Sequence, residues 1–156
     1  MTVNIQKLNK NATVPTRGSS GAAGYDLYAC LDNDTYTIQP HTTYKVYTGI
    51  AAAIPEGYFG AIFARSGIAT KKGLRPANCV GVIDSDYRGE IIVALHNDSN
   101  EFREIQNGER VAQLVIMPYL PVEFAVVDDL DETKRGAGGF GSTGETTPEY
   151  EQMSLF

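Results

Sequence analysis

Apolar residues in this chain fall in short runs, each closed by turn chemistry, and no long stretch repeats them at the helical period of about 3.6. The runs are Tyr44–Ile50, Tyr58–Ala64, Glu90–Leu95, Arg110–Met117 and Val122–Val127. Valine, isoleucine, tyrosine and threonine dominate them, as half-buried pleated strands require. Pro55-Glu56-Gly57, Asn97-Asp98-Ser99-Asn100 and Asn107-Gly108 separate them, all with turn residues. The pattern predicts an all-β domain. One short helix is expected to start at Ser66, with the Ser66 hydroxyl capping the amides of Gly67 to Ala69. No internal repeat is present.

A chain of 156 residues with 42% hydrophobic content can bury one real core. It contains no apolar run of the roughly 18 residues that a spanning helix needs, so no membrane partner is expected. The start, MTVNIQKLNK, lacks the apolar stretch of a secretory signal. Cys30 and Cys79 are far apart in sequence and form no CxxC; two free thiols in a reducing, cytoplasmic setting are expected rather than one disulfide. The net charge of −6 argues against a protein that grips nucleic-acid backbone directly. A local basic pocket stays compatible with it, built from Arg65, Lys71, Lys72, Arg75 and Arg135.

Several segments carry candidate chemistry. Gly81 to Gly89, GVIDSDYRG, ends a β-like run with two carboxylates and a tyrosine. Asp84 and Asp86 would share one face if the strand continued through them. Such a pair suits a metal site or a general base; the alternative is a turn whose acids bond only backbone amides. Arg65 and Ser66 precede the expected helix, where free N–H groups favour a phosphate, or where serine serves only as a cap. Asp26 is a lone acid in the apolar segment AAGYDLYA, and a carboxylate there needs a partner. It faces either a metal-bound water or an arginine. Gln113 interrupts an apolar run as a neutral donor for phosphate or as a solvent-facing strand residue. His41 and His96 support no catalytic triad or zinc cluster.

Arg135 to Gly144, RGAGGFGSTG, is half glycine, with an arginine at its entrance and one aromatic, Phe140. Glycine lets backbone amides approach a ligand closely. Arginine forks onto phosphate, and the aromatic offers a flat face to a base. GAGGFG matches the dinucleotide fingerprint in letters only, because the βαβ context is missing. No Gly-Lys-Ser/Thr follows, which excludes a P-loop. The segment reads as a nucleotide-closing arm rather than a plain linker.

In this order and spacing, from Ala22 to Gly144, the five segments resemble the five motifs of the homotrimeric dUTPase family. The resemblance implies an all-β, distorted jelly-roll subunit with one short helix and a mobile C-terminal arm. It implies three subunits that share each active site, and Mg²⁺-dependent hydrolysis of dUTP to dUMP and pyrophosphate. By the same resemblance, Asp84 is the catalytic residue, deprotonating the water that attacks the α-phosphorus and meeting the 3′-hydroxyl. Tyr87 lies against the deoxyribose and excludes UTP. Asn78 and the main chain at Val82, Ile83 and Ile92 read uracil. Arg65, Ser66, Gly67 and Gln113 hold phosphates, and Asp26 contacts waters on Mg²⁺. Phe140 covers the uracil, while Arg135, Gly141, Ser142 and Thr143 clamp the β- and γ-phosphates. The implied organisation is a core over 1–134, an arm over 135–144 and an acidic tail over 145–156.

Two positions depart from the pattern. Ala64 stands where proline usually precedes Arg-Ser-Gly, and Ala137 where serine is common. The tail also departs, since many relatives stop soon after the arm. Its last residues, Gln152, Met153, Ser154, Leu155 and Phe156, resemble the peptide by which bacterial replication proteins dock the sliding clamp. They either dock such a partner or fold back onto the trimer. A bacterial or phage-infected cytosol fits the first reading. The rival functions are a related dCTP deaminase, and a nucleotide-binding trimer without turnover that acts through its tail. The uracil-reading segment has no glutamate before Glu90 to serve a deaminase, and the intact Asp84 opposes the second rival.

Overall fold

A computed structural model describes residues 1–140 and contains eleven strands and one helix among them. In chain order they are β1 (Asn4–Lys7), β2 (Tyr25–Tyr28), β3 (Thr35–Ile38), β4 (Thr43–Tyr47), β5 (Ile50–Ala53), β6 (Tyr58–Phe63), α1 (Ser66–Lys72), β7 (Leu74–Pro76), β8 (Gly81–Ile83), β9 (Ile92–Asn97), β10 (Arg103–Gln106) and β11 (Arg110–Pro118). All strand pairs are antiparallel. They form a four-stranded sheet β2-β11-β6-β8, a three-stranded sheet β4-β9-β7, and the two pairs β1-β5 and β10-β3.

The all-β expectation holds. It fails in detail at Tyr44–Ile50, read as one run. Gly49 has φ 68°, so the chain turns there and the run divides between β4 and β5. Asp84 and Asp86 do not share a strand face. β8 stops at Ile83, and a turn follows in which the Tyr87 amide donates to the Asp84 carbonyl at 3.2 Å. α1 starts at Ser66 as expected, yet the N-cap is Arg65 and no side chain caps it. Gly73, at φ 65°, ends the helix, its N–H reaching the Ala69 carbonyl at 3.2 Å.

The core draws residues from every sheet. Leu27, Val46, Leu74, Ile91, Leu95 and Ile105 are each at most 1% exposed. Alternation is clearest in β9, where Val93, Leu95 and Asn97 are buried and the residues between them are half-buried. Buried Asn97 is fully used: its Nδ2 donates to the Ile38 and Glu101 carbonyls, and its Oδ1 accepts from the Ser99 amide and hydroxyl. Cys30 and Cys79 are both free thiols. Burial first, then Glu90 and Asp32, pushes the Cys30 thiol up, which keeps it protonated and unreactive at neutral pH.

The compact unit spans Met1–Pro121, and a second begins at Val122. Val122–Val127, expected as a strand, forms none: its backbone has no ladder. A strand needs a neighbour to satisfy its N–H and C=O groups, which an apolar pattern alone does not supply. Phe124 and Val126 are accordingly 94% and 101% exposed. Farther on, the Gly136 amide donates to the Thr133 carbonyl and the Gly138 amide to the Arg135 carbonyl, both at 3.1 Å, so the chain folds into successive tight turns. Gly141, Ser142, Thr143 and the whole tail lie outside the described residues.

Gly60 in β6 shows how tightly the sheet meets the core. A Cβ there would stand 2.8 Å from Leu114 Cδ1 and 2.9 Å from Ile54 Cδ1. Gly60→Val should therefore destabilise the fold by about 1–3 kcal/mol through overpacking. Urea denaturation followed by circular dichroism checks this; an unchanged midpoint would contradict it.

Candidate active site

The four-stranded sheet carries two groups of polar residues at opposite edges. The first is built on β2, β11 and the end of β6. Register puts Asp26 opposite Gln113, and Gln113 opposite Phe63. Asp26 is 8% exposed, and its amide donates to the Thr16 carbonyl. Its carboxylate accepts from Arg65 Nε at 2.7 Å on one oxygen and from Arg110 Nη1 at 3.2 Å on the other. The Gln113 Nε2 donates to the Ala64 carbonyl at 2.9 Å and thereby ties the strand to the loop that enters α1. Gly24 makes room for this amide, because a Cβ there would run into Gln113 Oε1.

Arg65 is thus held by Asp26, while Ser66 and Gly67 are exposed at the start of α1. The first helical amides have no intrahelical acceptor and no side-chain cap. With two guanidinium groups beside them, they form a cationic, donor-rich ledge suited to phosphate oxygens. Arg110 was missed in the sequence. The available signal was a basic residue heading the same strand as Gln113. Other expected members of a basic pocket are engaged elsewhere: Lys72 pairs with Glu109 at 2.5 Å, and Arg75 forks onto Asp98 at 2.7 and 3.0 Å. The Asp98 hydrogen bond, and then its charge, raises the Arg75 pKa.

The second group follows β8 at the other edge. Val82, Ile83, Asp84, Tyr87, Glu90 and Ile92 surround a concavity of about 250 Å³. Asp84 and Asn78 are exposed, and Tyr87 is 42% exposed. Cys79, beside Asn78, has φ 63°, which bends the chain into β8. The Tyr87 hydroxyl donates to the Glu90 carbonyl at 3.0 Å, so the ring lies back along residues 87–90. On its outer side, Asp84 also borders a broad depression of about 1050 Å³ with Phe59, Val82 and Tyr119.

These groups do not meet within one chain. Ile83 pairs with Gly60, three residues along β6 from the Phe63 row that carries Asp26 and Gln113. Three ladder spacings also lie between β2 and β8. Ordinary strand dimensions put Ile83 roughly 17 Å from Asp26. Arg135 and Phe140 belong to the second unit: Arg135 Nε donates to the Gly138 carbonyl at 2.8 Å, and Phe140 has φ 48° and a fully exposed ring.

A dUTPase family model matches residues 10–144. The deoxyuridine 5′-triphosphate nucleotidohydrolase of Desulfitobacterium hafniense is 51% identical over 137 residues, covering 87% of this chain and 90% of that protein. The corresponding mitochondrial protein of Homo sapiens is 45% identical over 145 residues, covering 93% of this chain and 56% of that protein. Among solved structures, a mutant dUTPase of Staphylococcus bacteriophage 80alpha with dUpNHpp superposes with a TM-score of 0.81 at 31% identity, covering 92% of this chain and 98% of that one. The chain belongs to the dUTPase family, and its fold is of that family's jelly-roll type.

The ion triad makes a direct prediction. Asp26→Ala leaves two guanidinium groups without their acceptor and should cost about 1–3 kcal/mol, the pair being only partly shielded from water. Asp26→Asn, which keeps one acceptor oxygen, should cost less. Denaturant midpoints rank the two; equal stability of all three proteins would contradict the pairing.

Proposed function

We propose that this chain hydrolyses dUTP to dUMP and pyrophosphate, keeping uracil out of DNA and supplying dUMP, and that it does so as a homotrimer with Mg²⁺. The observation that carries the reading is the division of the site between two sheet edges in a chain of this family. Asp84 and the Arg65/Gln113 ledge of one copy are too far apart to act on one phosphate. A neighbouring copy presenting its ledge to the depression beside Asp84 brings them together. The exposed apolar side chains Leu120, Phe124 and Val126 support a partnered state as well.

In this reading uracil enters the concavity beside Ile83 and is read by Asn78 and the main chain at Val82, Ile83 and Ile92. Tyr87 stands against the deoxyribose. Asp84, exposed on its turn, takes a proton from a water as that water's oxygen bonds to the α-phosphorus. The bond from the α-phosphorus to the bridging oxygen breaks, and pyrophosphate leaves. Arg65, Ser66, Gly67 and Gln113 bind phosphate oxygens and orient them. Phe140 caps the base, and Arg135 with Gly141, Ser142 and Thr143 closes over the β- and γ-phosphates.

The donor chemistry suits Mg²⁺ held mainly by substrate. No group of three or more histidine, cysteine or carboxylate side chains is gathered among the described residues. Asp26 offers hard oxygens, and each keeps a free lone pair for a metal-bound water beyond its arginine bond. When bound, Mg²⁺ neutralises and orients phosphate oxygens. No helix among the described residues is long and apolar enough to cross a membrane, and the free thiols support a cytoplasmic setting. Docking of Gln152–Phe156 on a bacterial sliding clamp rests on sequence alone; titration of the tail peptide against a clamp tests it.

Pyrophosphate release from dUTP in the presence of Mg²⁺ is the first assay, and no release by the wild-type trimer would sink the reading. Asp84→Asn should lower kcat about 10²–10⁴-fold while dUTP binding persists, as loss of a general base requires. Turnover at the wild-type rate would remove Asp84 from the chemistry. A chain ending before Arg135 should stay folded and trimeric with little activity; full activity would refute closure by the arm.

A further inference from the structure

We infer that Glu90 is a positioning residue that sets the enzyme's choice of sugar by fixing the Tyr87 ring. The inference rests on the proposed dUTP reading and deepens it.

Tyr87 is held from behind. Its hydroxyl donates to the Glu90 carbonyl at 3.0 Å, and its amide closes the turn on the Asp84 carbonyl. The ring passes close over Gly89: a Cβ at that position would come within 2.5 Å of Cζ and 2.9 Å of Cε2. Any side chain at residue 89 would push the ring off its seat.

The seat itself is pinned through Glu90. The Glu90 carboxylate accepts from the Gly49 amide at 2.6 Å. Gly49 has φ 68°, and a Cβ on it would crowd Ala12 Cβ at 2.8 Å, so this amide belongs to a turn with little freedom to move. Next along the chain, the Ile91 amide donates to the Ile50 carbonyl at 2.8 Å, and the buried Thr48 hydroxyl donates to the Ile91 carbonyl at 2.5 Å. Residues 90 and 91 are therefore clamped to 48–50, with the Glu90 side chain as the outermost clamp, next to the peptide that bears the ring.

A ring that rejects a 2′-hydroxyl must resist displacement by about the length of one C–O bond, of order 1 Å, and misplacements of that size matter greatly in active sites. Ring compliance should admit the ribonucleotide before it harms the deoxyribonucleotide. Glu90 touches neither water nor phosphorus in this scheme, so its loss should act on selectivity more than on dUTP turnover.

The test compares kcat/KM for dUTP and UTP in wild type, Glu90→Ala, Glu90→Gln, Tyr87→Phe and the Glu90→Ala/Tyr87→Phe double variant. Glu90→Ala should lower the dUTP:UTP ratio about tenfold, mainly through a lower KM for UTP. Glu90→Gln, which can still accept from the Gly49 amide, should restore most of it. Because Glu90 acts through the Tyr87 hydroxyl, the double variant should be little worse than Tyr87→Phe alone. A folded Glu90→Ala trimer with the wild-type ratio, or additive losses in the double variant, would overturn the inference. If Glu90→Ala does not fold, Tyr87→Phe decides: an undiminished ratio there overturns it too. A wild-type protein inactive on dUTP would instead sink the functional reading itself.

Discussion

The register of β11 is the constraint on which the site depends. This strand lies inside the four-stranded sheet and pairs with β2 on one side and β6 on the other. It sets Gln113 between Asp26 and Phe63, and it starts with Arg110, the second partner of the Asp26 carboxylate. A slip of one residue would turn Gln113 to the opposite face. The amide would then leave the Ala64 carbonyl, and the loop carrying Arg65 would lose its tether. Buried Val111, Ala112 and Leu114 oppose that slip, because it would expose them.

The same sheet keeps the two groups of polar residues apart within one chain. Its order puts the Arg65/Gln113 ledge on one side and the turn bearing Asp84 on the other. Each half is held by its own contacts, the ledge by ion pairs and the turn by the hydrogen bonds behind Tyr87. Assembly of identical copies in a ring can join one copy's half to the next copy's complement. Preorganised halves fit phosphoryl chemistry, which relies on positioning and charge neutralisation more than on covalent catalysis.

Much of this was legible from residue types. The short runs of β-branched and aromatic residues gave the strand content, and of the two partners open to Asp26, a metal-bound water or an arginine, the chain itself supplies the arginine as Arg65. Arg110 was signalled only by its place at the head of the Gln113 strand, and the register shift between Arg110 and Ala112, where its approach to Asp26 begins, is not written in the residue types. For the carboxylate pair in GVIDSDYRG the residues left a strand face and a turn both open, and the bond from the Tyr87 amide to the Asp84 carbonyl makes it a turn. Val122–Val127 was misread: its pattern suits a strand, but pairing is a tertiary fact. Glu90 was weighed only against a deaminase role, because its bond from the Gly49 amide joins residues remote in sequence.

The division of the site between copies is most directly measured by complementation. Asp84→Asn and Arg65→Ala proteins should each be nearly inactive alone. Co-expressed in equal amounts, they should yield mixed trimers in which about a quarter of the sites, one half times one half, combine an intact Asp84 with an intact Arg65 from the neighbour. Recovery of dUTP hydrolysis toward that fraction is the predicted result. Mixed trimers as inactive as the parents would show that both residues must come from the same chain, and would contradict the account.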